Sequence, residues 1–233
     1  DTGMHRLGFM PEEIPAIVRE IKGHKNVRDI TLMTHFATAD EENSPLFAEQ
    51  NRRMAKLDAL NLPVTLANSA AILTAPETIR EIARFGISLY GASPMENSCG
   101  RDYGLRPLIN LKSRIIHTTT IEAGESVGYG ARFVAPEKMP IGVIACGYAD
   151  GYPREISAEA YLLVGKYRAP IIGRPAMDMM MIDLRNVPPA AWEEEVEIFG
   201  DHLPIEQVAA WAGTIPYTIF THLAKRIHFK VVE

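Results

Sequence analysis

"DITLMTHFATADEENSPLFAEQNRRMAKLDALNLPVTLANSA" (29–70) decides the fold class. An apolar strand-like run, "DITLMTHFA" (29–37), passes through a polar stretch into "SPLFAEQNRRMAKLDAL" (44–60), which reads as a helix; a second strand-like run, "LPVTLANSA" (62–70), follows. Strand, helix and strand at this spacing form the repeating unit of a parallel sheet or barrel. Ser44 before Pro45 reads as the helix start, with the serine capping free N–H groups and the proline in the first helical position. The same rhythm predicts a short helix near 76–83 and another strand, "ARFGISLYG" (83–91), with Arg84 at its head. About three or four strands can be counted, fewer than a closed barrel needs. Residues 1–107 are therefore expected to be part of a parallel (β/α) TIM-type barrel.

A Gly- and Pro-containing segment, "ASPMENSCGRDYGLRP" (92–107), reads as a linker, and after it the pattern becomes β-rich. Strand-like runs at 108–122, 126–134, 140–148, 160–173 and 179–184 are separated by Gly-containing turns, which predicts a mostly antiparallel β domain over 108–233. Two helices, "PIEQVAAWAGT" (204–214) and "PYTIFTHLAKRI" (216–227), are expected near its end. The fold class is thus α/β plus β.

Composition narrows the function. With 47% apolar and 23% charged residues the chain reads as a folded domain protein. A net charge of -5 without a basic cluster argues against nucleic acid, and the apolar runs are too short for a membrane span. Cys99 and Cys146 lack metal-ligand spacing, so no metal is expected, and a reducing compartment, the cytoplasm, is the expected location. The chain opens on Asp1 in mid-pattern, and the rest of the barrel is expected to precede it.

Polar residues gather where the first strands end. His35 alone reads as a core histidine, but Asp40 and Glu41 beside it make a place where proton affinities are tuned. "NSAA" (68–71) offers the N–H groups of a helix start, "FGI" (85–87) offers close backbone approach, and the two together point to a phosphorylated ligand. Tyr129 in "VGYGA" and Tyr148 in "CGYADGY" read either as strand aromatics or as rings left accessible by flanking glycines.

Taken together, "DTGMHRLGF", "THFATADE", "NSAA", "RFGISLYG", "GESVGYGARF", "GYADGYPR" and "GRPAMDMMMIDL" resemble the alanine racemase family, in the family's order and along almost the whole chain. The resemblance implies a barrel that binds pyridoxal 5'-phosphate, a following β domain, and a homodimer in which each chain completes the other's site. It implies a two-base interconversion of L- and D-alanine, serving peptidoglycan synthesis or alanine catabolism. It matches Tyr129 to the tyrosine base, and His35 and Arg6 to its cationic neighbours. Arg84 matches the arginine facing the cofactor's ring nitrogen, and Asn68, Ser69, Gly86 and Ile87 match its phosphate cradle. Arg6 and Met177 match contacts to the substrate carboxylate, and Asp40, Tyr148, Arg154, Arg174 and Asp178 match an access corridor. Two departures stand out: no lysine here matches the one that carries the cofactor as a Schiff base, so the chain alone is expected to be inactive, and Lys225 occupies the place of a tyrosine found in some members. The alternatives are a broad-specificity amino-acid racemase and a non-catalytic pyridoxal-phosphate barrel protein, the latter disfavoured by the presence of Tyr129.

Overall fold

The computed structural model describes residues 1–232. The chain forms two compact units, Asp1–Leu89 with Ser93–Tyr103, and Tyr90–Ala92 with Gly104–Glu233.

The first unit carries α1 (Ile14–Lys22), β1 (Leu32–Met33), α2 (Pro45–Ala55), β2 (Val64–Thr65) and α3 (Ser69–Thr74). β1 and β2 pair in parallel, Leu32 opposite Val64 and Met33 opposite Thr65, and a single parallel bridge links Thr65 to Ile82. Val18 of α1, Met54 of α2, Leu32 and Val64 of the strands, and Ala70 and Ala71 of α3 share one buried cluster with Phe36, Leu57 and Leu66.

Three local expectations are corrected here. The segment 83–91 is not a strand: beyond Ile82 it enters a 3-10 turn, Ile87–Tyr90, because the Gly86 and Ser88 N–H groups turn to the Ser69 hydroxyl at 2.8 and 3.3 Å. The helix expected near 76–83 is a 3-10 turn at Pro76–Thr78; the α-helix begins earlier, at Ser69, where Asn68 Oδ1 accepts from the Ala71 N–H at 3.1 Å. Ser44 stands at the start of α2 with Pro45 in the first turn, but its hydroxyl does not cap the helix and pairs with the Thr38 hydroxyl at 2.7 Å.

The second unit is built on a sheet of β3 (Leu111–Ser113), β4 (Ile115–Ile121), β7 (Met139–Ile144), β8 (Tyr161–Val164), β9 (Tyr167–Ile172), β10 (Met180–Asp183) and β11 (Val196–Phe199), with β5 (Ser126–Val127) and β6 (Phe133–Val134) forming a separate hairpin. The sheet order is β3-β11-β8-β9-β10-β7-β4, and every neighbouring pair is antiparallel. β11 did not stand out in the sequence because acidic residues interrupt it. Its Glu197 is buried, and its carboxylate accepts from the His202 and Leu203 N–H groups at 2.7 and 2.9 Å. α4 (Ile205–Trp211) and α5 (Pro216–His222) complete the unit, with Trp211 edge-on to Tyr161 at 4.8 Å between ring centroids.

Most of the expected linker belongs to the first unit, since Ser93–Tyr103 clusters with it. The Ser93 hydroxyl accepts from the Met95 N–H at 3.0 Å, and Gly100–Tyr103 forms a 3-10 turn. Cys99 and Cys146 are free thiols, and burial pushes that of Cys146 up to about 12. No helix among the described residues is long and apolar enough to cross a membrane, and no group of three or more His, Cys, Asp or Glu among them is placed to hold a metal.

Candidate active site

In the first unit the chain leaves β1 and β2 at Thr34–His35 and Leu66–Ala67, and Arg84 gathers these ends. Its guanidinium donates to the Thr65 hydroxyl at 2.6 Å, the Thr34 carbonyl at 2.8 Å and the Leu66 carbonyl at 3.1 Å. Its own N–H reaches the Ala67 carbonyl at 3.0 Å. Burial lowers the Arg84 proton affinity from its ordinary value, yet a guanidinium keeps its charge in any protein setting. The result is a fixed, donor-only cation.

His35 lies beside it, with Nδ1 at 3.5 Å from Arg84 Nη2. Burial first, then the charges of Arg84 and Arg6, hold the ring below its usual pKa and so keep it neutral. The two Nη2 hydrogens already serve the Thr34 and Leu66 carbonyls, and a bare Nδ1 with the hydrogen on Nε2 is the tautomer that suits this neighbour. The charges beside this ring are the guanidinium groups of Arg84 and Arg6. Arg6 and His35 line one cavity of about 90 Å³ together with Thr34 and Met33, and Asp40 is exposed on the loop beyond.

Ser69 forms the second feature of this unit. Its buried hydroxyl collects the N–H groups of Gly86 and Ser88, so the start of α3 and the turn at Ile87 meet on one oxygen. The buried Ser88 hydroxyl has no partner among the described residues. The Gly86 and Ser88 N–H groups are thus spent on Ser69, and the Ser88 hydroxyl is the polar group left unmet there.

Gln50 was not anticipated. It is fully buried on α2, donating to the His35 carbonyl at 3.0 Å and the Thr2 hydroxyl at 3.2 Å and accepting from the Ala37 N–H at 2.9 Å. Its signal was present: Phe47, Gln50 and Met54 share a helix face that is otherwise apolar.

In the second unit Tyr129 opens a 3-10 turn, Tyr129–Ala131, between β5 and β6, and its side chain is 70% exposed. Gly128 and Gly130 have φ of 73° and 75°, a region that glycine enters without penalty. A Cβ on Gly128 would meet Met181 Cε at 2.9 Å and sit 3.7 Å from the Arg174 nitrogen, so the tyrosine turn lies against the backbone at Arg174. Tyr148 and Met177 are also brought together: the Tyr148 N–H donates to the Ala176 carbonyl at 3.0 Å, and the Ala149 N–H to the Met177 carbonyl at 2.8 Å. This strap leaves no room for a side chain at Gly147, where a Cβ would lie 2.4 Å from the Ala176 oxygen. Arg154 follows the Tyr148–Asp150 turn, and Met177 and Asp178 are exposed.

Residues 1–94 match the family model for the alanine racemase N-terminal domain, and residues 108–231 match that for the alanine racemase C-terminal domain. The chain belongs to the alanine racemase family. It is 44% identical over 234 residues to the alanine racemase of Laribacter hongkongensis, covering 100% of this chain and 65% of that one. It superposes on the crystal structure of biosynthetic alanine racemase from Pseudomonas aeruginosa with a TM-score of 0.93 and 40% identity, over 97% of this chain and 64% of that one. The structure of alanine racemase from Bartonella henselae with covalently bound pyridoxal phosphate gives a TM-score of 0.84 at 27% identity, over 97% and 63%. The chain thus spans about two thirds of the length of these family members.

Proposed function

We propose that these residues serve a pyridoxal-phosphate-dependent alanine racemase. Arg84 carries this reading: a donor-only cation pinned at the ends of two parallel strands, with the Ser69 turn and the unmet Ser88 hydroxyl in the same unit. When bound, pyridoxal phosphate supplies an electron sink for the substrate's α-carbon. Ser69, Gly86 and Ile87, with Asn68 behind them, would hold its phosphate. Arg84 would lie toward the ring nitrogen and, since a guanidinium does not release its proton, would leave that nitrogen unprotonated. The electron sink it supplies would then be moderate, which would favour return of the proton over loss of the amino group.

Inverting a stereocentre requires a proton to leave one face and another to arrive on the opposite face. Tyr129 Oη is the base on one face, and the family's lysine, for which this sequence has no counterpart, is the base on the other. Arg6 of one chain and the Met177 backbone of a second chain would orient the carboxylate. His35 and Asp40 would face the substrate from one chain, and Tyr148, Arg154, Arg174 and Asp178 of a second chain would line the approach. The parallel pairing of β1 with β2 and the bridge to Ile82 support reading the first unit as part of a (β/α) barrel. The exposure of Tyr129 supports its delivery to a second chain in a homodimer, and the two free thiols support a cytoplasmic setting.

The test is conversion of L-alanine to D-alanine with added pyridoxal phosphate, by the chain alone and mixed with the part of the Laribacter hongkongensis relative that this chain does not cover, where the family's lysine is expected. Turnover is expected only in the mixture. Turnover by the chain alone would refute the lysine requirement, and a cofactor-loaded but inert mixture would refute the reading. Tyr129→Phe in the mixture is expected to slow racemisation by on the order of 10² to 10⁴. The enantiomers are isoenergetic, so kcat/KM falls equally in both directions, while solvent exchange of the α-proton is lost for one enantiomer and kept for the other.

A further inference from the structure

Three guanidinium groups in the second unit surround a single carboxylate. Glu155 Oε1 lies 2.6 Å from Arg154 Nη1 and 3.8 Å from Arg174 Nε, and Glu155 Oε2 lies 3.7 Å from Arg132 Nη1. Only the Arg154 contact has hydrogen-bond length. Arg174 Nε is buried and has no hydrogen-bond partner, so one donor of the cluster is held out of water and unmet. Arg132 follows the Tyr129 turn, Arg154 and Glu155 follow the Tyr148–Asp150 turn, and Arg174 follows β9, so separate segments place like charges together. Exposed ion pairs contribute little to folding, so stability does not account for this surplus of positive charge beside a buried unmet donor.

We propose that the cluster is a carboxylate-exchange site in which Glu155 is an internal competitor. Glu155 engages Arg154 until the α-carboxylate of an incoming amino acid displaces it and takes the Arg174 Nε–H together with the Arg154 fork. Glu155 therefore weakens capture and speeds release, because a carboxylate of the chain itself is always at hand to replace the departing ligand. The assignment rests on the corridor role proposed above for Arg154 and Arg174, and adds Glu155 and Arg132 to it.

Arginine Nε–Hε resonances of the 233-residue chain, titrated with acetate, L-alanine and L-alaninamide, test the idea. Acetate and L-alanine are expected to move the Arg174 resonance, whereas L-alaninamide, which has no carboxylate, leaves it in place. In Glu155→Gln the Kd for both carboxylates is expected to fall by about two- to fivefold at about 0.02 M salt, with the gain vanishing near about 0.5 M. In Arg132→Gln, at a solvent-exposed position, the Kd is expected to rise. Unchanged methyl resonances of Ile144 and Met180 in the sheet report that each variant keeps its fold. Equal affinity in the wild type and Glu155→Gln, with the Arg174 response intact, would overturn the competitor role and leave the corridor standing. No Arg174 response to either carboxylate, in either protein, would overturn the corridor and this proposal with it.

Discussion

The two units satisfy their backbone polar groups by different means. In the second, hydrogen bonds run strand to strand through a seven-stranded antiparallel sheet, so each strand is held along its length by neighbours. In the first, β1 and β2 pair over two residues each, and side chains take over from there. Arg84 serves the Thr34 and Leu66 carbonyls, Gln50 serves the His35 carbonyl and the Ala37 N–H, and Glu81 accepts from the Val64 N–H at 2.8 Å. A ladder is redundant, whereas a side-chain anchor is single. The same anchors, however, put charge and donors at the strand ends, where a ligand can read them, which a ladder cannot do. The first unit also carries exposed apolar side chains beside its short strands: Met33 is 59% and Ile82 45% accessible.

The contrast breaks most visibly at Arg84. Arg84→Met removes one side chain but strands the Thr34 and Leu66 carbonyls and the Thr65 hydroxyl, at an expected cost of about 2 to 4 kcal/mol. Amide hydrogen exchange is expected to show lost protection around β1 and β2 with β7 to β10 unchanged. Equal loss in both units, or none in the first, would show that Arg84 is not the anchor described. Gln50→Leu is the next step down. It keeps the volume in the cluster but leaves the His35 carbonyl and the Ala37 N–H unpaired, for about 1 to 3 kcal/mol. Denaturant unfolding followed at Phe36 and Phe47, whose rings lie 4.5 Å apart, should report it. A neutral result would mean that water replaces the amide there.

Much of the architecture was legible in the sequence, and what was not has physical causes. Strand-helix-strand spacing announced the parallel pair, and glycine-punctuated apolar runs announced the antiparallel sheet. Strand length in the first unit was not legible, because the group that ends the ladder, Arg84, lies 50 residues from Thr34. α1 carries its signal openly, with Ile14, Ile17, Val18 and Ile21 at helical spacing on one face. β11 was hidden by Glu197. Burial alone would raise its carboxyl, but the N–H groups of His202 and Leu203 and the His202 ring outweigh that and hold it ionised. Among candidate site residues, Tyr129 was marked by its glycines, whereas Glu155 carries no local signal: two of its partners, Arg132 and Arg174, are distant in sequence.

The smallest effect is the one that sharpens the comparison, because it titrates a single ring within the anchored unit. In the folded chain burial, Arg84 and Arg6 lower the His35 pKa below 6.5, whereas in the unfolded chain the ring takes its proton near the ordinary value of about 6.5. Between the two values the unfolded chain binds more protons than the folded one, so stability rises with pH across that window. His35 therefore contributes stability that is fully present above pH 6.5 and is lost as the pH falls toward the lowered folded value. Burial is the first cause, and Arg84 adds to it, because a second ring proton would set cation against cation at 3.5 Å. Long-range proton–nitrogen spectra should find the Nε2–H form at neutral pH and a midpoint below 6.5. Protection of the amides near β1 should decline on acidification, and His35→Gln should flatten that decline while leaving the second unit's profile as it was. A midpoint at or above 6.5, or an unaltered slope in His35→Gln, would place the pH sensitivity of this unit elsewhere.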